Sequence, residues 1–166
     1  MKIHLLLALM FVIRVVPLAS AQGKGHPAFD KLLSLTGDWE GTVAWTGKPA
    51  SKISAHYHAT GTDSAIVEDL SNGMTSVYHL DGDDLRMTHF CAARNQPRLK
   101  ATAFGPDNSS ITFTFVDITN LSSPSGGHVQ GLDLRFLAPD HITLQFHFVS
   151  NGKQADELVD LKRKSG

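Results

Sequence analysis

One cysteine, Cys91, stands in the 166 residues, so no disulfide can form within the chain and the core alone must hold the fold. Aromatic polar residues are scarce, with two tryptophans and two tyrosines. No C-x-x-C pair, no glycine-rich phosphate loop and no nucleophile elbow occurs, which removes the usual signatures of redox, nucleotide and acyl-transfer enzymes. Charge is sparse and balanced, 15 basic against 16 acidic residues. The longest basic cluster is Lys162-Arg163-Lys164, too short to attract a polyanion, so neither nucleic acid nor an anionic membrane is an expected partner. Long helical windows are missing after the first thirty-odd residues.

One long apolar run is present, at the start. Lys2 forms a short basic segment, Ile3 and Leu5 to Ile13 form an apolar stretch, Pro17 ends it, and Ala19-Ser20-Ala21 is a small-x-small cleavage pattern. About a dozen apolar residues broken by Arg14 fall short of the roughly 20 that a spanning helix needs. Residues 1–21 are therefore expected to be a signal peptide, with export to a periplasm or the exterior and no membrane span after cleavage. A retained N-terminal anchor is the alternative. Removal takes away Lys2 and Arg14 and no acid, which makes the mature chain mildly acidic. Residues 22–27 read as a linker and 28–166 as one domain, within the size one core can support.

Phe29, Leu32, Leu33 and Leu35 lie at helical spacing and predict two turns over Ala28–Leu35, stopped by Gly37. From there the period changes to two. Ten strands are predicted, at 38–46, 51–60, 64–70, 74–80, 84–92, 97–104, 110–117, 128–137, 142–150 and 154–162. Turn residues separate them, with Asn72-Gly73 and Asn151-Gly152 reading as two-residue hairpins. Connections this short make sequence neighbours into spatial neighbours, so the chain meanders. Ten meandering strands avoid two bare edges by closing, and an all-β, antiparallel, up-and-down barrel with a short N-terminal capping helix is expected. A two-sheet sandwich is the alternative. A ten-stranded barrel is wider than the eight-stranded kind that side chains just fill, so an internal cavity is expected.

Alternation assigns faces. Ile111, Phe113 and Phe115 share a side of the seventh strand, Leu132, Leu134 and Phe136 of the eighth, and Ile142, Leu144, Phe146 and Phe148 of the ninth. Together they predict an aromatic inner wall, either plain core or the lining of a pocket for a small hydrophobic molecule. On the fifth strand Leu85, Met87, His89 and Cys91 alternate on one face, placing a thioether, an imidazole and a thiol in a row. His89 and Tyr78 are candidate polar anchors, with Met87, Cys91, Asn95 and Gln96 as further candidate ligand-binding residues. Glu68 is a candidate acid/base partner if it enters the barrel near His89. His56 and His58 share a face at a spacing also found in metal sites, without a clear third ligand.

Leu35-Thr36-Gly37-Asp38-Trp39-Glu40-Gly41 resembles the helix-to-first-strand junction of the calycin group, which includes lipocalins, fatty-acid-binding proteins and nitrobindin-like haem barrels. The resemblance implies a closed floor at Gly37 and Trp39, where a basic residue of the last strand, here Arg163, packs on the indole. The segment from Tyr78-His79-Leu80-Asp81-Gly82-Asp83 through Met87-Thr88-His89-Phe90-Cys91 to Asn95-Gln96-Pro97 is similar to a group of exported bacterial proteins of unassigned function, usually treated as lipocalin-like or nitrobindin-like. The remaining lipocalin motifs and their flanking disulfides are absent. Four functions stay open: a carrier or sensor of a small hydrophobic molecule, a haem or metal binder using His89, a small-substrate enzyme with His89 as acid/base assisted by Glu68 or Cys91, and a purely structural or protein-interaction role.

Overall fold

In the computed structural model, which describes residues 25–165, the chain runs as one helix followed by ten strands. The expected signal peptide and the first half of the expected linker lie outside the described residues. The helix, α1, covers Pro27–Leu33, a residue earlier at its start than predicted and two shorter at its end. Proline suits the first helical position, where its missing N–H has no partner to lose, and His26 caps the turn by accepting from the Phe29 N–H at 3.3 Å.

The strands are β1 (Gly37–Trp45), β2 (Ser51–Thr60), β3 (Ala65–Leu70), β4 (Thr75–Asp81), β5 (Asp84–Phe90), β6 (Gln96–Phe104), β7 (Ser110–Thr119), β8 (His128–Ala138), β9 (His141–Ser150) and β10 (Lys153–Arg163). Each pairs antiparallel with its neighbours in sequence, and β1 pairs with β10 from Trp39↔Arg163 to Trp45↔Glu157, closing the barrel. Among the described residues no strand of the sheet lacks a partner on either side, which settles barrel over sandwich. At Asn151-Gly152 both residues have positive φ and Ser150 pairs with Lys153, the two-residue hairpin expected of Asn-Gly. Asn72-Gly73 differs. Only Gly73 has positive φ and the Leu70 N–H donates to the Met74 carbonyl, so the turn takes three residues, 71–73.

Odd and even hairpins fall at opposite ends of the barrel. α1 covers the end where β1 begins and β10 finishes, burying Ala28, Phe29 and Leu32 against it. There Trp39 is fully buried, its indole N–H donates to the Leu35 carbonyl at 2.7 Å, and the Arg163 guanidinium lies 4.4 Å from the ring centroid. Arg163 also donates to the carbonyls of Thr36 and Ser34 at 2.7 Å each, tying the last strand to the chain leaving α1. This end is shut.

The expected open interior is largely filled. Ile66, Leu85, Met87, Leu99, Ile111, Phe113, Leu132, Leu134 and Leu144 are all at most 1% exposed. Large side chains on most inward positions occupy the extra width that ten strands create, and the interior space among the described residues lies towards the end away from α1.

Candidate functional site at the open end of the barrel

Inward parity puts one polar residue on each of four successive strands at one level. On β2, Ile53, Ala55 and Tyr57 are buried in alternation; on β3, Ile66, Glu68 and Leu70; on β4, Ser76 and Tyr78; on β5, Leu85, Met87 and His89. Register then aligns them, since Tyr57 lies across from Glu68, Glu68 from Ser76, and Ser76 from His89. The result is a buried polar row in a wall that is otherwise apolar. Glu68 is 0% exposed.

Its carboxylate is held by two phenols. Tyr57 donates to Oε1 at 2.7 Å and Tyr78 to Oε2 at 2.9 Å. Burial pushes the Glu68 pKa up, against hydrogen bonds from Tyr57, Tyr78 and Ser76 that pull it down. Burial, with the Glu68 charge adding to it, holds both tyrosines far above the usual phenol range, so they remain donors. Ser76 Oγ lies 3.0 Å from His89 Nδ1, and thus stands between the carboxyl and the imidazole. Burial drives the His89 pKa down to about 4, so the ring is neutral around pH 7.

Beyond His89 lies a cavity of about 370 Å³, lined by Trp45, Asn72, Met74, His89, Cys91, Ala92, Ala93, Val129, Phe146, Phe148 and Glu157. These come from the ends of β1, β5, β8, β9 and β10 and from the hairpin turns at the end away from α1. The His89 ring lies tilted on Phe146 at 5.2 Å between centroids, and Trp45 meets Phe148 edge-on at 5.6 Å. Glu157, 6% exposed, has its pKa raised by burial, with the Trp45 indole hydrogen bond opposing that shift. Cys91 is half-buried and its pKa is also raised by burial, which keeps it a thiol and not a thiolate nucleophile. Larger depressions lie on the outer surface, one beside α1 with about 790 Å³, but none of them is lined by a buried polar side chain.

The candidates named from sequence divide. His89, Cys91, Phe146 and Phe148 line the cavity together. Met87 and Phe113 lie deeper in solid core, while Phe115, half-buried, packs on His128 at 5.4 Å. Tyr78 does not reach the cavity; its hydroxyl engages Glu68 and its ring packs on Phe113 at 5.8 Å. Asn95 instead ties two rim loops together, donating from Nδ2 to the Gly127 carbonyl at 2.8 Å. Gln96 accepts from Thr119 at 2.9 Å and from Asn120 at 2.6 Å, away from the cavity. His56 and His58 face outwards with rings stacked at 5.5 Å, beside Asp38 and Asp69. Among the described residues no cluster of three or more His, Cys, Asp or Glu is placed to hold a metal ion. A haem would find an imidazole at His89, but about 370 Å³ holds roughly a dozen water-sized groups, and a porphyrin has several times that number.

Sequence reasoning missed Tyr57, Ser76, Trp45, Met74, Val129 and Glu157. Parity carried the signal for several of them: Tyr57 alternates with Ile53 and Ala55, Ser76 with Tyr78, and Glu157 with Val159 and Leu161.

No family model matches the chain, and no curated protein matches it. Among solved structures, a redesigned β-barrel is similar over 84% of this chain and 96% of that one, at 13% identity and a TM-score of 0.39.

Proposed function

We propose that this protein is an exported carrier or sensor that holds one small, largely apolar molecule at the open end of its barrel, with His89 as the polar anchor. The observation that carries this reading is the cavity itself: apolar and aromatic walls from Met74, Val129, Phe146 and Phe148, with a neutral imidazole in one wall. That combination is what small-molecule sites are made of, and the volume lies near the small end of their range. The signal-peptide pattern at 1–21 supports export. The Trp39–Arg163 floor supports the calycin likeness, in which that end of the barrel is closed.

An acid/base enzyme is the second reading, favoured by one feature: Ser76, bonded to His89 Nδ1, lies across from Glu68 in the β3–β4 register. A base whose pKa is about 4 accepts protons weakly near pH 7, so catalysis through His89 alone is disfavoured relative to binding. Native mass spectrometry of the mature protein, purified from its own host, tests the binding reading. A retained small mass, lost or weakened about tenfold in His89→Ala with the fold intact, is expected. A bare protein that also takes up no added fatty acid or small aromatic compound overturns it.

A further inference from the structure

The His89–Ser76–Glu68 row has more in it than an anchor needs. A hydrogen bond from Ser76 would orient His89, but nothing in orientation calls for a wholly buried carboxyl behind it, braced by two phenols. Ser76 is bonded to His89 Nδ1 and lies opposite Glu68 in the register, where its hydroxyl can serve both ends. Ser76 has one proton to donate. When Glu68 is a carboxylate it only accepts; Ser76 then donates to Glu68 and accepts from His89 Nδ1–H, so Nε2 presents a lone pair to the cavity. When Glu68 is protonated and donates to Ser76, the serine donates to Nδ1, and Nε2 carries the proton instead. The two arrangements differ by one proton.

We propose that Glu68, Ser76 and His89, with Tyr57 and Tyr78 bracing the carboxyl, form a proton relay between the cavity and the barrel interior, and that the molecule bound there is a weak acid, an aromatic compound with an acidic hydroxyl. This rests on the binding reading above. The transfer balances without a co-reactant. The ligand O–H breaks as an N–H forms at Nε2; the Nδ1 proton passes to Ser76 oxygen; the Ser76 proton passes to Glu68. The ligand is left as an anion accepting from Nε2–H, and one negative charge has moved from Glu68 to the cavity. Burial favours the same direction, since the carboxyl resists being charged and the phenols that brace it keep their protons. The groups facing Glu68 are Tyr57 from β2 and Ser76 and Tyr78 from β4, with Asp69 next to it on β3. Those around His89 are Ser76 from β4, Phe146 from β9 and, across the cavity, Glu157 from β10 with Cys91 two residues along.

Two measurements test it, one without ligand. In nitrogen-resolved NMR of the free protein, His89 should change from the Nδ1–H to the Nε2–H tautomer as pH falls, without passing through imidazolium. Glu68→Gln should hold one tautomer at every pH. A tautomer that ignores pH in the wild type, or a switch that survives Glu68→Gln, overturns the relay even if ligands bind. In the second, 4-nitrophenol and 4-nitroanisole are titrated below the phenol's own pKa. The wild type should bind the phenol at least tenfold more tightly and hold it as the coloured phenolate. Ser76→Ala should bind it uncoloured and lose the preference. Equal affinities, or a phenol bound neutral by the wild type, overturn the weak-acid ligand. If neither probe binds while the tautomer switch is present, the weak-acid ligand class falls and the relay stands, while the binding reading is decided by native mass spectrometry of the protein from its own host.

Discussion

His89 shows how burial converts an ordinary side chain into a pH-sensitive one. It is 1% exposed and neutral in the fold, with its pKa down at about 4 against 6.5 when free. The unfolded chain therefore takes a proton first as pH falls, so the contribution of His89 to stability is complete above the free pKa and is lost on acidification towards about pH 4. The shift amounts to roughly 3 kcal/mol across that window. Glu68 acts oppositely, because its raised pKa makes the folded state the better proton binder. Comparison with His89→Leu separates the two. Between about pH 7 and about pH 4, the unfolding free energy of the wild type from urea denaturation should fall by roughly 2–3 kcal/mol relative to His89→Leu; parallel changes would show that the imidazole is not held neutral. Arg163 is a second residue whose geometry matters more than its charge. Arg163→Ala should cost about 1–3 kcal/mol, through the lost indole contact and two carbonyl partners, and Arg163→Lys should recover less than half, read as denaturation midpoints.

At the scale of elements, the seam between β1 and β10 closes the barrel, and it is tight at Gly41. A Cβ there would run into the Asp160 carbonyl oxygen, a backbone atom that cannot rotate aside. Gly41→Ala should therefore destabilise by several kcal/mol and lower the melting temperature more than Gly47→Ala, whose added carbon meets open space but whose φ of 74° carries a cost of its own. On the outer face of β8, β9 and β10, His147 sits between Asp156, 2.9 Å from Nδ1, and Asp133, 3.1 Å from Nε2. Burial alone would lower the His147 pKa, but the two carboxylates outweigh it and raise it. The hydrogen bond from His147 leads in holding Asp156 low; for Asp133, hydrogen bonds from Thr112 and His147 overcome the opposing effect of burial. The raised imidazole pKa stabilises fully below about pH 6.5 and fades as pH rises through the folded value; the depressed carboxylates stabilise above about pH 4 and fade on acidification. The triad is about 30% exposed, so solvent screens it to about 1 kcal/mol. His147→Gln should cost that much near pH 6 and clearly less near pH 9, by chemical denaturation at each pH.

The whole molecule is a barrel shut at one end and hollow at the other, and ligand binding belongs to that asymmetry. Val129 lines the cavity from β8 and is 4% exposed. Val129→Phe adds volume where there is space, so it should change stability by less than about 1 kcal/mol while reducing ligand uptake at least tenfold in calorimetry. A variant that unfolds would show the space to be already filled. How much of this was legible in the chain follows from what alternation records. A period of two states which side chains turn inward, and so Ile111, Leu144, Phe146 and His89 were assigned correctly from their own strands. It does not state depth. Phe113 and Phe146 read alike in sequence, yet one is sealed in core and the other faces the cavity, because depth depends on where along the barrel axis the strand crosses its neighbours.

By itself the sequence determined the number of strands, their order, the places of the turns between them and the capping helix, since these depend on local periodicity and on turn residues a few positions apart; the type of the turn at Asn72-Gly73 it did not. It also placed Trp39 and Arg163 as candidates for one floor. Register was decided only in the tertiary structure. Tyr57, Glu68, Ser76 and His89 are spread over 33 positions, and nothing local says that they share a level. A shift of one residue between any two of those strands would turn a side chain of the row to the outer face. Closure of the ladder holds each strand at one height, and so brings a carboxyl, a hydroxyl and an imidazole into line behind a small apolar cavity.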